Sequence, residues 1–178
     1  MVKCEIVNVV ATASINEEVN LEKISHLREI THDPSVYHGR VAYFKNEGMQ
    51  GKVSIFSSGK LISVGTKSEQ NAFNELDYTA QFLSERGFIK SVKLRPEIRN
   101  IVATANLELN ISLERLAEYP KVIYEPEQFP GAIIHLKQPH KASVLVFASG
   151  KLVIAGLTSS TQIKPTILQI EKMVESTK

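Results

Sequence analysis

Phe129 sits in the run Tyr124-Glu-Pro-Glu-Gln-Phe-Pro-Gly131, where a Pro-Gly turn presents its ring. Phe147 stands directly ahead of a second turn, Ala148-Ser149-Gly150, which Lys151 follows. A weaker version occurs earlier: Asp33-Pro-Ser-Val-Tyr-His-Gly39 carries Tyr37, and Phe56 precedes Ser57-Ser58-Gly59-Lys60. Turn-borne rings, single lysines and lone asparagines in apolar strands (Asn8, Asn100) supply flat apolar surface, point charge and amide hydrogen bonds. That is binding chemistry. No Gly-rich phosphate loop, nucleophile elbow or carboxylate pair is visible. The five histidines lack zinc-ligand spacing, and His32 and His38, flanking Pro34, read as surface residues. Cys4, the single cysteine, excludes an intrachain disulfide and a thiolate metal cluster. Neither catalysis nor a cofactor is expected.

Hydrophobic content of 43% and charged content of 22% fit a soluble globular protein, and 178 residues suffice for a core. The apolar run Ile6 to Ala13 is too short to span a membrane and lacks a signal peptide's layout, so an intracellular location is expected. The net charge of +2 divides unevenly: residues 1–92 carry −1 and residues 93–178 carry +3. No basic arm announces a nucleic-acid binder.

The chain repeats itself. Ile6-Val-Asn-Val-Val-Ala-Thr12 matches Ile98-Arg-Asn-Ile-Val-Ala-Thr104, which places Asn8 and Asn100 92 residues apart, as are Tyr37 and Phe129. The spacing is 91 for Gly59/Gly150 and for Gly65/Gly156, as if one deletion lay ahead of Phe56 and Phe147. Two copies, 1–92 and 93–178, follow; two are too few for a solenoid, so a pseudo-twofold pair is expected.

Each copy reads as strand, short helix, several antiparallel strands and long helix. The first strand covers residues 5–13, Asn20 caps a short helix, and strands run over 40–45, 52–56 and 61–64, with a loop over 46–51. Ser68 caps a long helix that buries Phe73, Leu76, Ala80 and Leu83 and stops at Gly87. In the second copy a strand covers 98–105, Ser112 opens a short helix burying Leu113 and Leu116, and three strands lie within 131–155. A final helix buries Ile163, Ile167, Ile170 and Val174, with Pro165 in its first turn.

One amphipathic helix covers one face of its sheet. Val53, Ile55, Val144 and Val146 point toward it, so Ser54, Phe56, Leu145 and Phe147 point away. Asn8, Val10, Ile62, Val64, Asn100, Val102, Val153 and Ala155 join that second face. It is apolar, holds two asparagines and has aromatics near its ends. An uncovered apolar surface of this kind marks a binding site. Taken singly, the asparagines could merely satisfy strand ends, the two phenylalanines could be core residues and the lysines solvated turn residues.

These residues, in this order in both halves, resemble the TATA-box-binding protein family, the archaeal form in particular. The pieces are Ile6–Thr12, Phe56-Ser-Ser-Gly-Lys60, Gly65-Thr-Lys-Ser68, Asn100–Thr104, Tyr124–Gly131 and Phe147-Ala-Ser-Gly-Lys151. The resemblance implies an α+β saddle: a curved antiparallel sheet whose concave face enters a widened DNA minor groove, with helices on the convex face. It implies a general initiation factor, without cofactor, that bends TATA-like promoter DNA by aromatic insertion. Asn8 and Asn100 match positions that donate to central base acceptors. Phe129 with Phe147, and Phe56 with Tyr37, match wedging pairs, while Lys60, Lys67 and Lys151 match backbone contacts. Glu125 and Glu127 match acidic stirrup residues that meet the B-type initiation factor (TFIIB-like); the first half has only Asp33 there. An archaeal cytoplasm or nucleoid location follows from the same likeness. The apolar concave face also makes a homodimer through it an expectation.

The departures weaken DNA contacts. Val64 and Ala155 stand where the family has threonine, Tyr37 replaces phenylalanine, Tyr43 and His135 stand where arginines are expected, Thr158 replaces a second Lys67, and loop 46–51 is longer than usual. A divergent member with weaker or less selective binding is therefore expected. The alternative is an interaction protein that has lost productive DNA binding and engages or sequesters other transcription factors.

Overall fold

Alternation of apolar and polar residues gives strands here, and three- and four-residue spacing gives helices. The computed structural model describes residues 2–91 and 93–176; Val92, at the expected boundary between the copies, lies outside the described residues. The elements are β1 (Lys3–Ser14), α1 (Leu21–Ile24), β2 (Ile30–His32), a 3-10 turn (Val36–Gly39), β3 (Val41–Phe44), β4 (Lys52–Phe56), β5 (Lys60–Thr66) and α2 (Glu69–Glu85). They continue with β6 (Glu97–Asn106), α3 (Leu113–Leu116), β7 (Val122–Ile123), β8 (Gly131–Leu136), β9 (Ala142–Phe147), β10 (Lys151–Leu157), a 3-10 turn (Ser160–Gln162) and α4 (Ile163–Glu175).

Two compact units form: Asn8–Arg99, and Asn100–Lys178 together with Met1–Val7. In the first the antiparallel order is β2-β3-β4-β5-β1, and in the second β7-β8-β9-β10-β6. Each sheet thus has one more strand than the repeat led us to expect. β2 and β7 span only three and two residues, too short to show an alternating pattern.

The first core lies between α2 and its sheet. Val53, Ile55 and Leu61 are fully buried, as are Ala72, Leu76 and Leu83 of α2. Phe44 packs against Phe82 at 4.6 Å and Tyr78 at 5.8 Å between ring centroids. Phe73, expected inside, is only half-buried; the inward stripe is Ala72, Leu76, Thr79, Ala80 and Leu83. Ser68 accepts the Asn71 N–H, and Gly87, at φ +75°, ends the helix. Its N–H donates to the Ser84 carbonyl while Phe88 donates to Leu83, the paired bonds of a left-handed helix stop.

The second unit is built likewise. Val144, Val146, Leu152 and Ile154 are fully buried in the sheet, and α4 buries Ile163, Ile167, Ile170 and Val174. Pro165 does fall in the first turn of α4, where no N–H is needed. Asn20 and Ser112 cap α1 and α3 through the Lys23 and Arg115 amides.

Phe44 is the anchor of the first core. Phe44→Ala should cost about 3–5 kcal/mol, read as a lowered midpoint in urea unfolding.

Candidate nucleic-acid interface

Strand partners share a face, so the pairing register assigns each side chain a side. Phe56, Ser54 and Lys52 of β4 share theirs with Ile62 and Val64 of β5, which lie opposite Ser54 and Lys52, and with Tyr43, opposite Ser54. Val10 lies opposite Val64 and Thr12 opposite Ile62. In the second unit Phe147, Leu145 and Ser143 share a side with Val153 and Ala155, and Val153 faces Thr104. Asn8, Val10, Phe56, Ile62, Val64, Asn100, Val102, Leu145, Phe147, Val153 and Ala155 are all half-buried, whereas Val9, Val53, Ile55, Leu61, Ile101, Ala103, Val144, Val146, Leu152 and Ile154, which alternate with them, are buried. In each unit this face is open, and Phe56 and Phe147 are not core residues.

Both asparagines have the same structural task. β1 and β5 lose register between Val9 and Val10, and β10 and β6 between Ile154 and Leu157. At these bulges Gly65 (φ +101°) and Gly156 (φ +92°) adopt a conformation that suits glycine, and their N–H groups turn out of the ladder. The Gly65 N–H donates to Asn8 Oδ1 at 2.8 Å, and the Gly156 N–H donates to Asn100 Oδ1 at 2.7 Å. A backbone N–H only donates, so each amide is oriented with oxygen inward. Among the described residues neither Nδ2 group has a partner, so each asparagine keeps its donors. The asparagines therefore satisfy backbone groups and offer donors together.

The hairpin turns are docked. Ile15 and Val19 amides donate to Gly59 and Ser57 carbonyls, and Leu107 and Ile111 amides donate to Gly150 and Ala148 carbonyls. A Cβ on Gly59 would stand 2.1 Å from the Glu17 oxygen, and one on Gly150 2.4 Å from the Leu109 oxygen. Glycine at φ +83° lets each turn seat this closely. That seating fixes Phe56 and Phe147, and the exposed Lys60 and Lys151 that follow the turns. Lys67 is exposed beyond β5.

The aromatic pairs differ. Phe129 and Phe147 meet edge to face, centroids 5.8 Å apart. Gly131 lies opposite Phe147, and a Cβ there would stand 2.9 Å from the Phe129 ring and 3.2 Å from the Phe147 ring. In the first unit Val41 holds Gly131's place, opposite Phe56. Tyr37 stands four residues ahead of Val41, but Phe129 only two ahead of Gly131. The 92-residue match of Tyr37 with Phe129 is therefore not kept by the strands. The single deletion expected from the sequence is the net of two changes. Between paired positions, Ile30 to Phe44 is two residues longer than Val122 to Ile134, and Val41 to Phe56 is one residue shorter than Gly131 to Phe147. Because β8 and β9 run further than β3 and β4, the loop itself is still longer in the first unit, 45–51 against 137–141. Tyr37 is 70% exposed, at φ 47° and ψ 38°, and no ring contact joins it to Phe56 among the described residues. Phe56 instead borders an open recess of about 600 Å³ with Arg40, Glu18 and Ser58.

By the same register Tyr43 stands opposite Ser54 as Ile133 stands opposite Leu145, so Tyr43 and His135 are not counterparts either. Tyr43 carries the Lys52 ammonium over its ring at 4.6 Å, whereas His135 Nδ1 lies 3.0 Å from Ser143 Oγ. Lys52, two residues before Ser54 on the same strand, shares the face of Phe56, and the repeat hides it because Ser143 stands in its place in the second copy. Glu125 and Glu127 are exposed in the loop ahead of β8, where the Gln128 and Phe129 amides both donate to the Glu125 carbonyl. In the matching first loop Asp33 accepts from the Ser35 hydroxyl at 2.7 Å and the Ser35 amide at 2.8 Å. These bonds, the hydroxyl's first, hold the Asp33 carboxyl below its ordinary pKa. The turn therefore weakens only as pH falls through that lowered value.

Among the described residues no group of three or more His, Cys, Asp or Glu could hold a metal ion, and no helix is long and apolar enough to cross a membrane. The family profile described as "Transcription factor TFIID (or TATA-binding protein, TBP)" matches residues 3–86 and 95–177. The chain belongs to the TATA-binding protein family. A TATA-box-binding protein of Cenarchaeum symbiosum is 41% identical over 160 residues, covering 89% of this chain and 87% of that one. One from Archaeoglobus fulgidus is 34% identical over 176 residues, 96% and 93% of the two chains. The solved Methanococcus jannaschii TBP superposes with a TM-score of 0.87 at 31% identity, over 98% of this chain and 99% of that one. The fold is the family's: a tandem α+β repeat with antiparallel sheet and helices. This is a family of transcription factors, and archaeal-type members are the relatives found.

Two variants separate the halves of the asparagine's task. Asn100→Leu should lower stability by about 0.5–1.5 kcal/mol through loss of the Gly156 bond, while Asn100→Asp, which keeps the acceptor, should unfold close to wild type. Gly150→Ala should lose more than about 1 kcal/mol, because both its φ and its distance from Leu109 are wrong for a side chain. Thermal melts check all three.

Proposed function

We propose that this protein is an initiation factor that binds A/T-rich promoter DNA through the open sheet face, in the minor groove, and bends it. The observation that carries the reading is the oriented amide pair. Asn8 and Asn100 each spend their oxygen on a bulge glycine and present only donors outward. The minor groove at A·T and T·A pairs offers only the acceptors A N3 and T O2, whereas G·C adds a donor, the guanine N2 amino group. Donors set in the apolar surface of Val10, Ile62, Val64, Val102, Leu145, Val153 and Ala155 suit the first and clash with the second. Lys60, Lys67 and Lys151 supply backbone charge contacts, which give affinity and register without sequence information. Phe129 and Phe147 are the pair that would enter between bases, at flexible steps of the TA type where opening costs least, and the family resemblance gives Phe56 and Tyr37 the matching places at the other end.

Val64 and Ala155 bring no hydroxyl to the bases, so binding is weaker and less selective than in relatives. Glu125 and Glu127 form the acidic site for a B-type initiation factor, and Asp33 alone in the first loop makes the two ends unequal for that partner.

Titration of an A/T-rich duplex at two salt concentrations, with bending read by end-to-end fluorescence transfer, tests the reading. Bent, salt-sensitive binding is expected, weakened at least about tenfold by Asn8→Asp and by Asn100→Asp, which lose the donors and add charge. Weaker discrimination between A/T and G·C-substituted duplexes than the Archaeoglobus fulgidus protein shows is also expected. A folded protein that ignores DNA and still captures the B-type factor would replace this reading with that of an interaction protein.

A further inference from the structure

We infer that the two repeats divide the work on DNA: the wedge belongs to the second, and the first grips the backbone through Lys52. This rests on the DNA-binding reading above and deepens it. Three independent features carry it. The Phe129 and Phe147 rings are already in contact, with Gly131 leaving no side chain beneath them, so a two-ring wedge exists before any DNA arrives. Its formation costs no ordering at the moment of insertion.

The first repeat has no such object. Two extra residues carry Tyr37 beyond the place that Phe129 holds, its ring is 70% exposed, and Phe56 stands beside a recess. Tyr37 and His38 both hold left-handed backbone angles, at φ 47° and 54°, which a non-glycine residue tolerates at a cost. Moving Tyr37 back onto Phe56 requires rebuilding this turn.

What the first repeat has is a cation on the same face. Lys52 lies opposite Val64 and two residues from Ser54, so its side chain rises from the open face, and Tyr43 holds its ammonium at 4.6 Å. Ser143 occupies the equivalent place in the second repeat and bonds His135 instead. An ammonium at the N-terminal end of β4, on an apolar sheet facing the minor groove, would reach phosphate oxygens of the bordering strand. Tyr43 is the positioning residue.

Full-length protein and a fluorescently labelled A/T-rich duplex test the division, reading bend by energy transfer and the slope of log K against log salt. Phe129→Ala/Phe147→Ala should remove most of the bend, whereas Tyr37→Ala/Phe56→Ala should keep more than about half of it and weaken binding only a few-fold. Lys52→Met should leave the bend and reduce the salt slope by about 1. Tyr43→Leu should reduce the slope in the same direction and Tyr43→Phe restore it. Melting curves establish that each variant is folded, and Phe147→Leu replaces the double alanine variant if that one is not. Wild type that bends DNA, with equal losses from the two aromatic pairs or an unchanged slope for Lys52→Met, overturns the division alone. Wild type that does not bind overturns the DNA reading and the division together.

Discussion

One long helix lies on each five-stranded sheet, and a helix covers one face. Everything particular to this molecule depends on the other face being left open and yet apolar. Water does not reward that arrangement, because each buried methylene is worth about 0.8 kcal/mol and the open face forgoes it. The core on the helix side, with Phe44, Leu76 and Leu83 in one unit and Ile154 and Ile170 in the other, must therefore hold the fold by itself. The bulges at Gly65 and Gly156 and the docked turns at Gly59 and Gly150 then fix what the open face displays.

The open face is built from backbone necessity. A bulge frees an N–H, an asparagine oxygen accepts it, and the remaining amide donors are aimed by that bond. The same hydrogen bond thus serves folding and recognition. A turn glycine lets a hairpin close against the loop after the first strand, and the aromatic before it and the lysine after it are held as a consequence. Lys52 belongs to the same logic: a strand residue acquires direction from the neighbouring Tyr43 ring.

Much of this was legible in the sequence because it is written twice. The duplicated strand around Asn8 and Asn100, the caps Ser68 and Ser112, the stop at Gly87 and the alternation at Val53, Ile55, Val144 and Val146 are local signals, and the structure shows each where expected. The strands β2 and β7 were not legible, since two or three residues cannot display a period. Nor was the true register. Compensating length changes on either side of β3 leave a net difference of one residue, so Tyr37 lined up with Phe129 by counting while the strand pairing separates them. Repetition conceals what differs between copies, which is why Lys52 was passed over. The oxygen-inward orientation of the asparagines is likewise tertiary: it depends on glycine amides 57 and 56 residues away.

The claim at the centre is that donor groups in an apolar face read the minor groove. Inosine tests it most directly, because an I·C pair lacks the guanine N2 amino group and so shows A·T-like acceptors in the minor groove while keeping a G·C-like major groove. Affinities would be measured for one duplex in three forms, with A·T, I·C and G·C pairs at the centre of the site. The account predicts that I·C binds close to A·T and that both exceed G·C. Binding of I·C that falls to the G·C level would place recognition in the major groove or in duplex stiffness, and would contradict the account.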